Sequence, residues 1–278
     1  MTKNSVLAIF LSFSISFIST SQVVDWISNQ IGYLGHTCID EFGSVYSAGQ
    51  ITQPQTYNGQ TYTSAGLQDL VVMKHAANGS LQWVFTAGGA NTDMAGDITY
   101  DNQGHVWVVG TYEGDMQAGS FTLTNNGQKD LYLIKLDAAT GTVLLATSVS
   151  ASGTQIGQCL SSDANGNIYF GGNSENNGAF TWGGFTHTGG STLDGFVGKI
   201  DGQGNPLALI SMTGGGWDTF DFMEATPTGG VFVTGFVTST TTTLGGNAYP
   251  TNGNGKHIIK LDNNLNVAWT AFFNSNGN

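Results

Sequence analysis

The sequence has 278 residues, with 41 glycines, only 9% charged side chains and a formal net charge of −12. Ordinary globular chains carry about 25% charged residues and about 7% glycine, so solubility here rests on Asn, Gln, Ser and Thr. There is no arginine, and the seven lysines are scattered, which argues against nucleic acid or an anionic membrane surface as a partner.

Residues 1–21 have the layout of a secretory signal peptide. Lys3 supplies the charged start, residues 6–18 the apolar run, and Ser19 and Ser21 the small residues before a cut at Gln22. That run is too short to span a bilayer comfortably, and nothing later resembles a membrane-spanning segment. The expectation is a chain that does not insert in the membrane and is secreted or held at the cell surface. Its remaining residues, 22–278, suffice for one large all-β domain.

From there the chain repeats itself. Units at about 23–80, 81–142, 143–206 and 207–266, with a partial unit at 267–278, recur with a period of 61 to 64 residues. Asp40, Asp101 and Asp163 align, with Thr226 in the last unit, and each is followed three residues later by glycine. Gly49, Gly110, Gly172 and Gly235 align, as do Lys74, Lys135, Lys199 and Lys260. Five residues before these lysines stand Asp69, Asp130 and Asp194, with Gly255 as the exception. Each unit shows four short runs rich in β-branched and aromatic residues, separated by Gly and Asn clusters, and these read as strands. Two of the runs are apolar without alternation, as in Val106 to Val109 and Leu131 to Ile134, so both their faces must be covered. Four-stranded antiparallel blades stacked around an axis meet that requirement. The predicted fold is an all-β propeller.

The order Trp, Gly-rich stretch, Asp-x-x-Gly, aromatic strand ending in Gly, then Asp and Lys five apart resembles the SBBP-type β-propeller repeat. DNQGHVWVVG with DLYLIK, and DANGNIYFGG with DGFVGK, carry it best. The resemblance implies a propeller and an exported, surface-associated bacterial protein, and it brings no shared catalytic residues. Four full units and the strand at 266–273 make seventeen strands, which do not divide by four. Either the ring has four blades and a spare strand, or further blades or a partner chain complete it.

Features that recur in every unit build the unit, and features that occur once are candidates for function. The recurring lysines therefore read as structural, their stems packed and their amines reaching the blade rim. The Asp-x-x-Gly carboxylates read as turn caps, with calcium as the only cation left open. Asp93 and Asp218 precede the second strand of their units, where Gly32 and Gln155 stand in others, and would form a polar or cation site if they lined a common channel. They are also the only carboxylate pair to test for glycosidase or lyase chemistry. His36, His75, His105, His187 and His257 share no metal-binding spacing and read as solvated or locally bonded. No nucleophile elbow, phosphate loop or zinc motif occurs, so neither enzymatic activity nor a cofactor is expected. The long connections between third and fourth strands carry aromatics among Thr, Asn and Gly, a composition suited to glycans or an extracellular protein. Tyr62, Trp182 and Phe185 are the candidates there, and Trp217 joins them because, like Trp182, it has no Trp counterpart in the other units. Cys38 and Cys159 fall on equivalent strands with a whole unit between them, so a disulfide is not expected.

Overall fold

A computed structural model of the chain describes residues 32–175, 178–189, 192–251, 253 and 255–274. The signal-like segment, the start of the first repeat up to residue 31 and the last four residues lie outside these. Among the described residues there is no helix, and four antiparallel sheets are arranged as a four-bladed β-propeller.

In blade one the chain runs through β1 (Tyr33–Ile39), β2 (Val45–Ile51), the short pair β3 (Gln55–Tyr57) and β4 (Gln60–Tyr62), then β5 (Asp69–His75) and β6 (Leu81–Ala87). Blade two repeats this with β7 (Asp93–Tyr100), β8 (His105–Tyr112), β9 (Met116–Ala118), β10 (Phe121–Leu123), β11 (Asp130–Asp137) and β12 (Val143–Val149). Blade three uses β13 (Thr154–Ser162), β14 (Ile168–Glu175), β15 (Phe180–Trp182), β16 (Phe185–His187), β17 (Asp194–Ile200) and β18 (Pro206–Gly214). Blade four has β19 (Phe222–Ala225), β20 (Val231–Val237), β21 (Thr241–Leu244), β22 (Asn247–Pro250), β23 (Gly255–Leu261) and β24 (Val267–Asn274). The first strand of each blade lies nearest the axis and the last lies outermost, as in β1-β2-β5-β6. The blade frame is thus offset by one strand from the sequence repeat. β24 completes blade four and does not begin a fifth.

The long connections, expected as loops, each contain a hairpin. At three of the tips, Asn58–Gly59, Gly183–Gly184 and Gly245–Gly246, both central residues have positive φ, the conformation of a two-residue turn matched to strand twist. The flaps of blades two and four reach back to the preceding blade. β21 pairs with β18, and Gly88 at the end of blade one bridges Gln117 in β9.

The doubly apolar strands behave as expected. Val106 to Val109 and Leu131 to Ile134 are fully buried. One apolar cluster joins blades one and two around Tyr46, Val108 and Tyr132. A second joins blades two and three around Trp107, Leu133 and Phe170, and a third joins blades three and four around Tyr169, Val197 and Ile259. Burying one such side chain is worth roughly 1.5–3 kcal/mol, so these clusters dominate the cohesion between blades.

Polar links follow the same three joints. The amides of Asp93, Gln155 and Asp218 donate to the carbonyls of Gln68, Lys129 and Leu193 in the blade before, at 2.7, 2.8 and 2.8 Å. Lys74, Lys135 and Lys199 do not end at the blade rim, as the sequence suggested. Each reaches forward, donating to the carbonyl of Ala138 (2.9 Å), Gly202 (2.7 Å) or Asn263 (2.9 Å) in the outer turn of the next blade. Each also lies over an aromatic ring of its own blade, Tyr46, Trp107 or Tyr169, at 5.0 to 5.4 Å.

The seam between blade four and blade one is built differently. The amide of Gly32 donates to Oε1 of Gln55 in its own blade, and Lys260 Nζ is buried without a hydrogen-bond partner among the described residues. Among the described residues no apolar cluster contains residues of both blades. The inner strands pack in the series β1 to β7, β7 to β13 and β13 to β19, and no comparable packing joins β19 to β1.

Candidate functional site

The axis is where once-occurring residues gather. Each of β1, β7 and β13 carries a β-bulge, with the register slipping at Gly35, Gly96 and Gln158. The recurring glycines on the second strands explain how the bulge fits. A Cβ on Gly49, Gly110, Gly172 or Gly235 would lie within about 2.0 Å of a carbonyl oxygen on the inner strand or just before it. Bulges re-aim side chains, and here the residues at or beside them differ from blade to blade: His36, Asp97, Gln158 and Asp221.

These four side chains, one from each blade, line a cavity of about 430 Å³ together with Met94 and Phe222. His36 Nδ1 lies 3.8 Å from Asp97 Oδ1. Asp97 accepts hydrogen bonds from the amides of Ile98 (2.8 Å) and Leu160 (2.9 Å), tying blade two to blade three. Burial pushes its carboxyl above the usual range, while those two amides and His36 favour the charged form. Asn173 donates to Gln158 and accepts from the amide of Phe220 (3.2 Å), which fixes the Gln158 amide. Phe222 is 72% exposed and presents a ring at the cavity's edge. A second cavity, of about 390 Å³, also includes Asp97 and lies toward the Asp-x-x-Gly turns beside Tyr100, Ser161 and Glu224. The axis therefore offers two carboxylates, an imidazole and an amide beside an aromatic ring. That set suits a ligand rich in hydroxyl or cationic groups.

The residues singled out from the sequence lie elsewhere. Asp93 and Asp218 are fully buried and do not share a channel. Asp93 sits in the joint between blades one and two, where Asp69 raises its pKa, and Asp218 in the joint between blades three and four, where Asp194 does the same. Burial first, then the neighbouring carboxylate, pushes Asp93 up to about 7, and burial likewise lifts Asp218 to about 6. Oδ1 of Asp69, Asp93 and Asp218 has no hydrogen-bond partner among the described residues. In the middle joint Gln155 takes the same place, its amide accepting from Ala151 and donating to the Gly178 carbonyl.

Trp182 folds edge-on against Phe170 with ring centres 5.2 Å apart, and Tyr62 packs beside Ile51, Val71 and Met73. Phe185 is half-buried on its flap. Of the four aromatic candidates only Trp217 is largely exposed, at 57%, on a turn held by the Thr238 hydroxyl. The Asp-x-x-Gly aspartates do cap their turns. Asp101 Oδ1 accepts the amides of Gln103 and His105, and Asp40 and Asp163 repeat the pattern. Three histidines expected to be solvated or locally bonded are buried: His75, His187 and His257. His187 is held between the Ser174 and Ser211 hydroxyls, and burial lowers its pKa to about 4. Cys38 and Cys159 are both free thiols. Among the described residues no group of three or more His, Cys, Asp or Glu is arranged to hold a metal ion, and no helix is long and apolar enough to cross a membrane.

No protein-family model matches the chain, and no curated protein does either.

The axial residues were missed because the aligned aspartates and lysines dominate the repeat. The signal that finds them is the position four or five residues before the turn aspartate. There the units read His36, Asp97, Gln158 and Asp221, and nothing recurs.

Proposed function

We propose that the chain is a non-catalytic binding module of the exported, SBBP-like kind, and that it takes a hydroxyl-rich ligand such as a glycan end at the axis. The observation that carries this reading is the convergence of His36, Asp97, Gln158 and Asp221, one from each blade, beside the exposed ring of Phe222. Carboxylates and amides accept and donate to sugar hydroxyls in pairs, and an aromatic face covers the apolar side of a pyranose. The expected site moves from the flap aromatics to the axis, since Trp182 and Tyr62 are used in packing. Export is supported by the charged start and apolar run of residues 1–21.

A glycan array followed by calorimetry on the best hit tests it. Asp97→Asn and Phe222→Ala are expected to weaken binding at least tenfold while leaving the melt cooperative, and Trp217→Ala to leave binding unchanged. A ligand lost on Trp217→Ala but not on Asp97→Asn would move the site to the outer turns. Turnover of a bound glycan that is abolished in Asp97→Asn would replace binding with hydrolysis.

A second reading, a purely structural repeat in a larger assembly, is favoured by one feature. The outward face of blade four has the composition of an interface.

A further inference from the structure

We propose that the axial site prefers a sugar with a free, positively charged amine, such as a glucosamine end, over its neutral and acidic counterparts. The preference rests on the reading of the axis as a glycan site and adds the charge of the ligand. Along the inner strands the residues lining the first cavity lead directly into those lining the second: His36 to Thr37 on β1, Gln158 to Leu160 on β13, and Phe222 to Met223 on β19. Asp97 on β7 lines both, so it stands where the two cavities meet.

The charge around that meeting point is mostly of one sign. Asp97 and Asp221 line the first cavity and Asp97 and Glu224 the second, and among the described residues His36 is the only basic side chain lining either. The chain has no arginine, and its lysines from Lys74 onward are engaged elsewhere. Lys74, Lys135 and Lys199 reach turn carbonyls of the next blade, Lys129 pairs with Glu113 at 3.1 Å, and Lys256 and Lys260 lie over Phe236 and Phe232. Carboxylates in a cleft with low-dielectric walls focus their field, so an acidic sugar is repelled and a cationic one is drawn in. Burial chiefly, with a smaller push from Glu224, raises the pKa of Asp97, and a cation seated beside it favours the charged form.

The arrangement suits an ammonium better than a bare metal ion. A hard cation asks for about six oxygen ligands or more, whereas an ammonium needs acceptors for only its few N–H groups. Asp97 can supply them. Each of its oxygens accepts one amide, from Ile98 at 2.8 Å or Leu160 at 2.9 Å, and each keeps a further lone pair. The side chain is 29% exposed, so a ligand can reach it. Gln158, fixed by Asn173, faces the hydroxyls, and the ring of Phe222 covers the apolar side of the sugar and attracts positive charge. The volume of about 430 Å³ falls within the range of small-ligand pockets, roughly 300–1,000 Å³.

Calorimetry with three matched trisaccharides tests this: glucosamine, N-acetylglucosamine and galacturonic acid, at low salt and at a pH where the amine is charged. The glucosamine form is expected to bind about tenfold tighter than either of the others, the effect of one charge-assisted contact, and to lose that advantage as salt is added. Asp221→Asn should narrow the preference while the melt stays cooperative, which guards against Asp97→Asn failing to fold because Asp97 ties two blades. Asp201→Asn removes the same charge from an outer turn, where an amide oxygen can still cap the loop, and should leave the preference intact. Equal binding of the glucosamine and N-acetylglucosamine forms, or tighter binding of galacturonic acid, overturns the amine preference and leaves the axial glycan reading standing. Binding of no glycan at all by the folded protein overturns both. A preference that falls as much in Asp201→Asn as in Asp221→Asn also overturns the proposal, because the net charge of the chain would then be selecting the ligand.

Discussion

At the residue scale, three side chains that recur together act as one device. The turn aspartate caps the loop with Oδ1 and uses Oδ2 for the aromatic of the next strand: Tyr46 to Asp40 at 3.0 Å, Trp107 to Asp101 and Tyr169 to Asp163 at 3.3 Å. The lysine then lies over that same aromatic and reaches the next blade. Blade four has Phe232, which has no polar hydrogen to give, and there the aspartate is replaced by Thr226. The exception in the repeat is therefore paired. Lys135 should be worth far more than Lys260. A hydrogen bond from a charged group and a cation–ring contact together make Lys135→Ala cost about 2 kcal/mol in urea unfolding. Lys260→Ala in the single chain should cost less than about 0.5 kcal/mol.

The joint carboxylates give a second residue-scale prediction. Unfolded, Asp93 ionises near about 3.9. Folded, it holds its proton up to about 7, because burial and the nearby Asp69 and Glu113 outweigh the amides of Gly89 and Glu113. The folded state then binds a proton that the unfolded state releases, so this group's stabilising effect is complete below about pH 4. It declines as pH rises to about 7. Asp93→Asn supplies an amide, as Gln155 does in the middle joint, and should remove that decline. Its unfolding midpoint at pH 8 should rise by the equivalent of more than about 1 kcal/mol. A midpoint that falls at every pH would mean that the carboxylate is needed charged.

At the scale of elements, the long strands were legible and the flaps were not. β-branched and aromatic runs between Gly and Asn clusters located β6, β7, β8 and β11, and the lack of alternation in β8 and β11 correctly demanded cover on both faces. The flaps carried a signal of their own, a Tyr-Asn-Gly-Gln turn at 57–60 and paired glycines at 183–184 and 245–246. Strands of three or four residues between such turns are too short for periodicity to register. The bulges were not legible either, since a bulge is a mismatch between two strands and not a property of one. Its trace is the glycine opposite. Gly110→Ala would place a methyl about 2.0 Å from the Met94 carbonyl and against the Tyr132 hydroxyl, neither of which can yield without shifting β7. The expected cost is about 3 kcal/mol by thermal or urea unfolding.

At the scale of the whole molecule, three joints carry an apolar cluster shared between blades, and among the described residues the fourth seam carries none. The repeat marks that seam in its exceptions. Where those three joints pair Asp69 with Asp93, Asp130 with Gln155 and Asp194 with Asp218, the corresponding residues at the seam are Gly255 and Gly32. The aromatic and lysine of blade four, Phe232 and Lys260, are nevertheless retained. The axial site was illegible for a related reason: four positions distant in sequence meet only because four blades curve around one line.

Hydrogen exchange read by mass spectrometry, on the protein at a concentration where light scattering gives a single chain, tests the unequal joints most directly. Slow exchange is expected in β8, β11, β14 and β17, which are covered on both faces, and much faster exchange in β1, β19 and β24, which border the seam. Equal, strong protection of β1 and β19 in that single chain would contradict the account and mean that the ring is sealed by the chain itself.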